Sequence, residues 1–155
     1  MDAIWTAIEQ WPLARVLKTA FIAYPLVNAL HVLSIGTLLS SVGLMHLRLA
    51  GYPRELPTHV FVGLLRRVAL AAFGFAVLSG ALLFTVRATD YAASPLFVAK
   101  LTIIGLAVAN FLAFSAIETR TPQNGPRPLV LKLLAIASMG LWLAALLCRR
   151  FLGFV

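Results

Sequence analysis

Residues 24–51, YPLVNALHVLSIGTLLSSVGLMHLRLAG, decide how this chain is read. From Tyr24 to Leu47 there is no Asp, Glu, Lys or Arg, which is enough residues to cross the hydrocarbon core of a bilayer as a helix. Inside this stretch sits His31. At 3.6 residues per turn, Asn28, His31, Ser34, Ser41 and Met45 fall on one face, with the apolar Leu38 filling the turn between the two serines. Polar groups in hydrocarbon are costly, so that face is expected to point into a helical bundle. A second face carries Gly36, Ser40 and Gly43, a small-residue stripe of the kind that lets another helix approach closely.

Outward from this segment the chain is apolar throughout. It has 155 residues, 61% of them hydrophobic, and a mean hydropathy of +0.95, well beyond soluble domains. That length accommodates about four spans with short connections. They are expected near 21–47, 61–86, 96–117 and 129–148. Gly51, Pro53 and Pro57 break the chain after the first, RATDYAASP connects the second to the third, and ETRTPQNGPRP precedes the fourth. Ahead of the spans, residues 2–18 repeat apolar positions at threes and fours around two tryptophans. This predicts an amphipathic helix on the membrane surface, ended or kinked at Pro12. The expected fold is all-α: residues 1–155 as a single membrane domain, a polytopic four-transmembrane-helix bundle with an N-terminal interfacial helix.

Charge bears on partners and orientation. A formal charge of +8 is compatible with nucleic acid, yet the cations stand singly or in pairs at the ends of apolar runs, where they snorkel to lipid headgroups. The partner so indicated is the lipid bilayer, not nucleic acid. All five acidic residues (Asp2, Glu9, Glu55, Asp90 and Glu118) fall outside the spans. Seven cations (Arg48, Arg54, Arg66, Arg67, Arg120, Arg127, Lys132) would lie on one side against six (Arg15, Lys18, Arg87, Lys100, Arg149, Arg150) on the other. The basic first loop places the seven inside and the N-terminus outside. The N-terminal twenty residues have no charged-then-apolar signal pattern, so the first span is expected to direct insertion. The single Cys148 excludes an internal disulfide and a Cys-pair metal site, and reads as a small hydrophobe.

Few side chains can carry chemistry. His31 lies about nine or ten residues from the start of its span, near the middle third of the bilayer, and two readings stand beside each other. One is a neutral imidazole bonded to a nearby hydroxyl or carbonyl; the other is a ligand to metal, above all haem iron. His46 is fifteen residues further on, about 22 Å along a helix, so the two cannot share an ion within one chain. Its expected role is headgroup contact, and His59 reads as a loop histidine. Lys100, a few residues inside the third span, either snorkels or faces a carboxylate such as a haem propionate. In an up-down bundle it shares the half of the membrane that holds His31. Met139 is near the same depth and is a soft ligand for haem or copper, although methionine in an apolar helix usually fills gaps. Asn110 and the run FGFAVLSG are expected to supply interhelical hydrogen bonds and close packing. No Ser-His-acid set, phosphate-binding loop or HxxxH spacing is present, which sets hydrolytic chemistry aside.

The motifs YPLVNALH and HLRLAG bracketing the first span, with SGALLF, PLFVAKLTIIGLAVANF and LWLAALLCRRFLGF in the later ones, resemble a family of small bacterial four-span membrane proteins. That family pairs a P-x-x-E-x-x-H opening with a D-L-R-L-x-G close. Here Asn28 stands where an acid is usual, and His46 where an aspartate is usual. More distantly, LHV in an early helix and AKL in a later one are similar to HemJ-type protoporphyrinogen oxidases and CopD-type copper-resistance membrane proteins. The HemJ likeness implies haem, with His31 and Lys100 at the positions tied to it, in the bacterial inner membrane.

Three functions follow as expectations. The first is a b-type cytochrome-like protein with haem b, His31 as axial ligand, Lys100 near a propionate, and Asn28 and Met139 beside the cofactor, for electron transfer or redox chemistry. A five-coordinate iron would indicate substrate or gas chemistry, as in a haem-dependent oxidoreductase, and a six-coordinate one electron transfer. The second is a cofactor-free accessory subunit of a larger membrane complex or a homo-oligomer. The third is copper handling through His31 and Met139.

Overall fold

The computed structural model describes residues 2–49, 58–118, 120 and 128–152; among them are seven helices and no strand. The loop at 50–57 and the turn at 121–127, both expected from their glycines and prolines, lie outside the described residues. Contacts divide the chain into two compact units, Met1–Ser94 and Pro95–Val155.

The first unit opens with α1 (Asp2–Glu9) and α2 (Pro12–Thr19). The amphipathic segment is thus two helices and not one bent helix. Pro12 sits in the first turn of α2, where its missing N–H costs nothing and its fixed φ suits the helix, so the same residue ends one helix and begins the next. Ala14 and Leu17 of α2 are buried, while Leu13 and Val16 on its flank are exposed.

Two long helices follow, α3 (Ala23–Leu49) and α4 (Thr58–Val86). His31 of α3 touches Ser79 of α4. These two residues lie about 27 Å and about 32 Å along their helices from the connecting loop, so the helices run antiparallel as a hairpin. The buried residues of α3 are Ser34, Leu38, Ser41 and Val42; those of α4 are Val62, Ala69, Ala72, Ala76 and Ser79. The α4 seam is therefore built from small side chains at helical spacing, and Ala72, Ala76 and Gly80 form a small-xxx-small row. Lipid is as apolar as leucine, so the hydrophobic effect contributes little here. Close backbone approach and van der Waals contact hold the hairpin.

The connection after α4 is itself helical: α5 (Ala88–Ala93) occupies what the sequence presents only as a linker. Arg87, its N-cap residue, makes no capping bond through its side chain. Glu9 takes that place, with Oε1 accepting the Thr89 amide at 2.9 Å and Oε2 bonded to Lys18 Nζ at 3.0 Å. One carboxylate thereby joins α1, α2 and α5. Thr89 and Lys18 hold the Glu9 carboxyl down at about 2, from an ordinary 4.5. Beside it Trp5 meets Phe84 edge-on, with centroids 5.9 Å apart, and Phe84 stacks on Tyr91 at 6.3 Å. The N-terminal helices are thus fastened to the end of the hairpin that holds the start of α3 and the close of α4.

The second unit pairs α6 (Pro95–Glu118) with α7 (Leu129–Leu152). Asn110 Nδ2 donates to the Leu134 carbonyl at 3.0 Å, as the sequence leads one to expect of a deep asparagine. Ala107, Leu131 and Ala145 are buried.

Candidate functional site

Four helical segments are long and apolar enough to cross a membrane: Ala23–Arg48, Val60–Val86, Pro95–Glu118 and Leu129–Leu147. They agree with the sequence-derived spans to within a few residues. Large side chains such as Leu26, Leu33, Leu78, Leu112 and Ile136 stand exposed on them, which a membrane protein tolerates because lipid replaces water.

Within the first unit the polar face of α3 behaves as its periodicity requires. Ser34 and Ser41 are buried, and Asn28, His31 and Met45 are half-buried. Ser34 donates to its own helix, to the Leu30 carbonyl at 2.7 Å. His31 engages the facing helix: its Nδ1 lies 3.0 Å from Ser79 Oγ. Ser79 is only 2% exposed, and its Oγ is also 2.5 Å from the Phe75 carbonyl and 3.3 Å from that of Ala76. Next to Ser79, a Cβ built on Gly80 would stand 3.0 Å from His31 Cε1, 3.5 Å from Nδ1 and 3.8 Å from Nε2. The ring edge lies close to the space that the missing side chain leaves, so a side chain there would require the ring to give way by a few tenths of an ångström or more.

Of the two sequence readings of His31, an imidazole bonded to a nearby hydroxyl is the one seen here, with Ser79 as the hydroxyl; sequence reasoning marked FGFAVLSG for packing and hydrogen bonding but did not join the two. The available signal was the Ser79-Gly80 pair itself, a hydroxyl next to a vacancy deep in a span. The small stripe of Gly36, Ser40 and Gly43 fares differently: Gly36 and Ser40 are exposed and Gly43 is half-buried, and a Cβ at Gly36 would meet nothing within 4 Å.

Asn28 and His31 belong to the first unit, one turn apart on α3, whereas Lys100 on α6 and Met139 on α7 belong to the second, where both are half-buried. His46 is also half-buried and lies one helical turn from the end of α3. Among the described residues no three of His, Cys, Asp and Glu cluster as a metal-binding group.

The fold defines a polytopic all-helical membrane protein in which His31 is held in the seam of the first hairpin. No protein-family model, curated protein or solved structure matches the chain.

Proposed function

We propose that this is a small b-type cytochrome-like protein of the bacterial inner membrane, N-terminus on the periplasmic side, in which His31 is an axial ligand to haem iron. The observation that carries the reading is the immobilised imidazole: His31 is bonded to Ser79 at 3.0 Å and seated against Gly80, about a third of the way along an apolar span. A metal-ligating histidine needs this arrangement, in which one ring nitrogen is engaged by the protein and the ring orientation is fixed. Haem, when bound, supplies a reversible one-electron couple at its iron. On this reading His31 would offer a ring nitrogen to the iron. Asn28 stands one turn away on the same face of α3.

The test is an optical spectrum of the protein in mild detergent, oxidised and dithionite-reduced, with His31→Ala beside it. The reading expects a Soret band, with α and β bands sharpening on reduction, and its loss in the variant. A colourless preparation from haem-replete cells would overturn it.

A second reading is supported by a separate observation. The uncovered Gly36 and Ser40 face of α3 is the type of surface on which another membrane helix packs. On this reading the chain is an accessory subunit of a larger complex without a cofactor of its own, and co-purification with a partner, lost in Gly36→Leu, supports it.

A further inference from the structure

The hydrocarbon of a bilayer is about 30 Å thick, and an α-helix crosses it in about twenty residues. Both helices of the first hairpin, Ala23–Leu49 and Thr58–Val86, are longer than that. At one end of the hairpin lie α1, α2 and α5 with the charged Glu9, Lys18, Arg87 and Asp90, groups that belong at headgroup level. Counted from that end, about twenty residues of α4 run from Val86 to Arg67, and about twenty of α3 run from Ala23 to Val42. The two counts agree, because Val42 lies about 17 Å beyond the His31–Ser79 contact and Arg67 about 18 Å beyond it in the same direction. Hydrocarbon therefore ends, on the far side, at the level of Arg67.

Arg67 is exposed there. The buried residues of α4, Val62, Ala69, Ala72, Ala76 and Ser79, occupy the other side of the helix, while Arg67 shares its side with Gly63, Ala71, Gly74 and Leu78, all exposed. A helical side chain leans towards the N-terminus of its own helix, which from Arg67 is the direction of the nearer headgroups. One turn that way stands Gly63, where a Cβ would meet nothing within 4 Å, so the helix surface next to the arginine is bare. Arg66, and Arg48 past Val42 on α3, add positive charge at the same end. We infer that Arg67 and the open surface over Gly63 form a binding site for the phosphate of an anionic phospholipid. A guanidinium presents its N–H donors to phosphate oxygens in pairs, at the boundary where lipid phosphates lie. With the headgroup over Gly63, the acyl chains run into hydrocarbon along Ala71, Gly74 and Leu78.

The experiment is native mass spectrometry of the full-length protein released from micelles that contain graded amounts of phosphatidylglycerol or phosphatidylcholine. The expected result is a retained phosphatidylglycerol, in preference to phosphatidylcholine. Arg67→Gln should weaken that retention about fivefold. Gly63→Leu, which keeps the charge and covers the open surface, should weaken it as well. Arg15→Gln, which removes an exposed cation of α2 at the other end of the hairpin, should leave it unchanged. Circular dichroism on each variant separates loss of lipid from loss of fold, and Arg67→Gln, on an exposed face, is expected to fold as the unaltered protein does. Equal retention of the two lipids, equal losses in Arg67→Gln and Arg15→Gln, or no loss in Arg67→Gln overturns the inference. Displacement of the lipid by excess inorganic phosphate overturns it too, since the free anion would then be the ligand.

Discussion

The carboxylate of Glu9 accepts the backbone amide of Thr89 at 2.9 Å across eighty residues of sequence, and so supplies from α1 the cap that α5 lacks. The Thr89 bond, followed by the ion pair to Lys18, brings the Glu9 carboxyl down to about 2 from 4.5. A carboxylate lowered on folding contributes stability that is fully present above its unfolded value and disappears as pH falls through its folded value. The N-terminal fastening is therefore expected to hold above about pH 4.5 and to loosen between 4.5 and 2. Fluorescence of Trp5, in a variant with Trp11 and Trp142 replaced by Phe, reports its contact with Phe84. A transition in that window, absent in Glu9→Gln, is the expected outcome.

Gly80→Ala places a methyl against His31, and its nearest neighbour is a ring already tied to Ser79. Either the hydrogen bond is lost or α3 moves away from α4. Both cost stability, about 1–3 kcal/mol by analogy with overpacked cores. Unfolding in mixed detergent micelles measures it.

Two small-to-large changes on opposite faces should behave oppositely. Ala76→Leu inserts bulk into the closed α3–α4 seam and is expected to destabilise the hairpin by about 1–3 kcal/mol. Gly36→Ala enters open space and removes a helical glycine, so it should be neutral or stabilising by up to about 1 kcal/mol. Equal losses in both variants would mean that Gly36 faces a partner helix.

Asn110→Leu removes the side-chain bond to the Leu134 carbonyl. Because that bond lies between two spans, and carbonyls inside helices keep their own donors, the expected loss is modest, about 0.6 kcal/mol and at most about 2. The same micelle titration reads it.

The class of the protein, the four spans and the inward face of α3 are legible in the sequence because each depends on local properties. Runs of apolar residues fix where a helix can cross lipid, and a 3.6-residue period places Asn28, His31, Ser34 and Ser41 together whatever lies opposite. Asn110 was legible for a similar reason, since a deep amide must find a partner. The break at Pro12 was visible too, but not that the proline begins a second helix, because the same residue is compatible with a kink. The helix α5 escaped notice: six residues of modest helix preference are held in place by Glu9, which no local window contains.

By itself, then, the sequence determined that a small-residue stripe of Gly36, Ser40 and Gly43 runs along α3, that FGFAVLSG on α4 suits close packing, and that a histidine lies within the first span. Only the tertiary structure decided that a row of Ala72, Ala76 and Gly80 lines the hairpin while Gly36 and Ser40 stay exposed, and that His31 meets Ser79 across forty-eight residues. The physical reason is register. Periodicity fixes the face a residue occupies on its own helix, but how far two antiparallel helices slide past each other is set by how their side chains interlock along the whole seam.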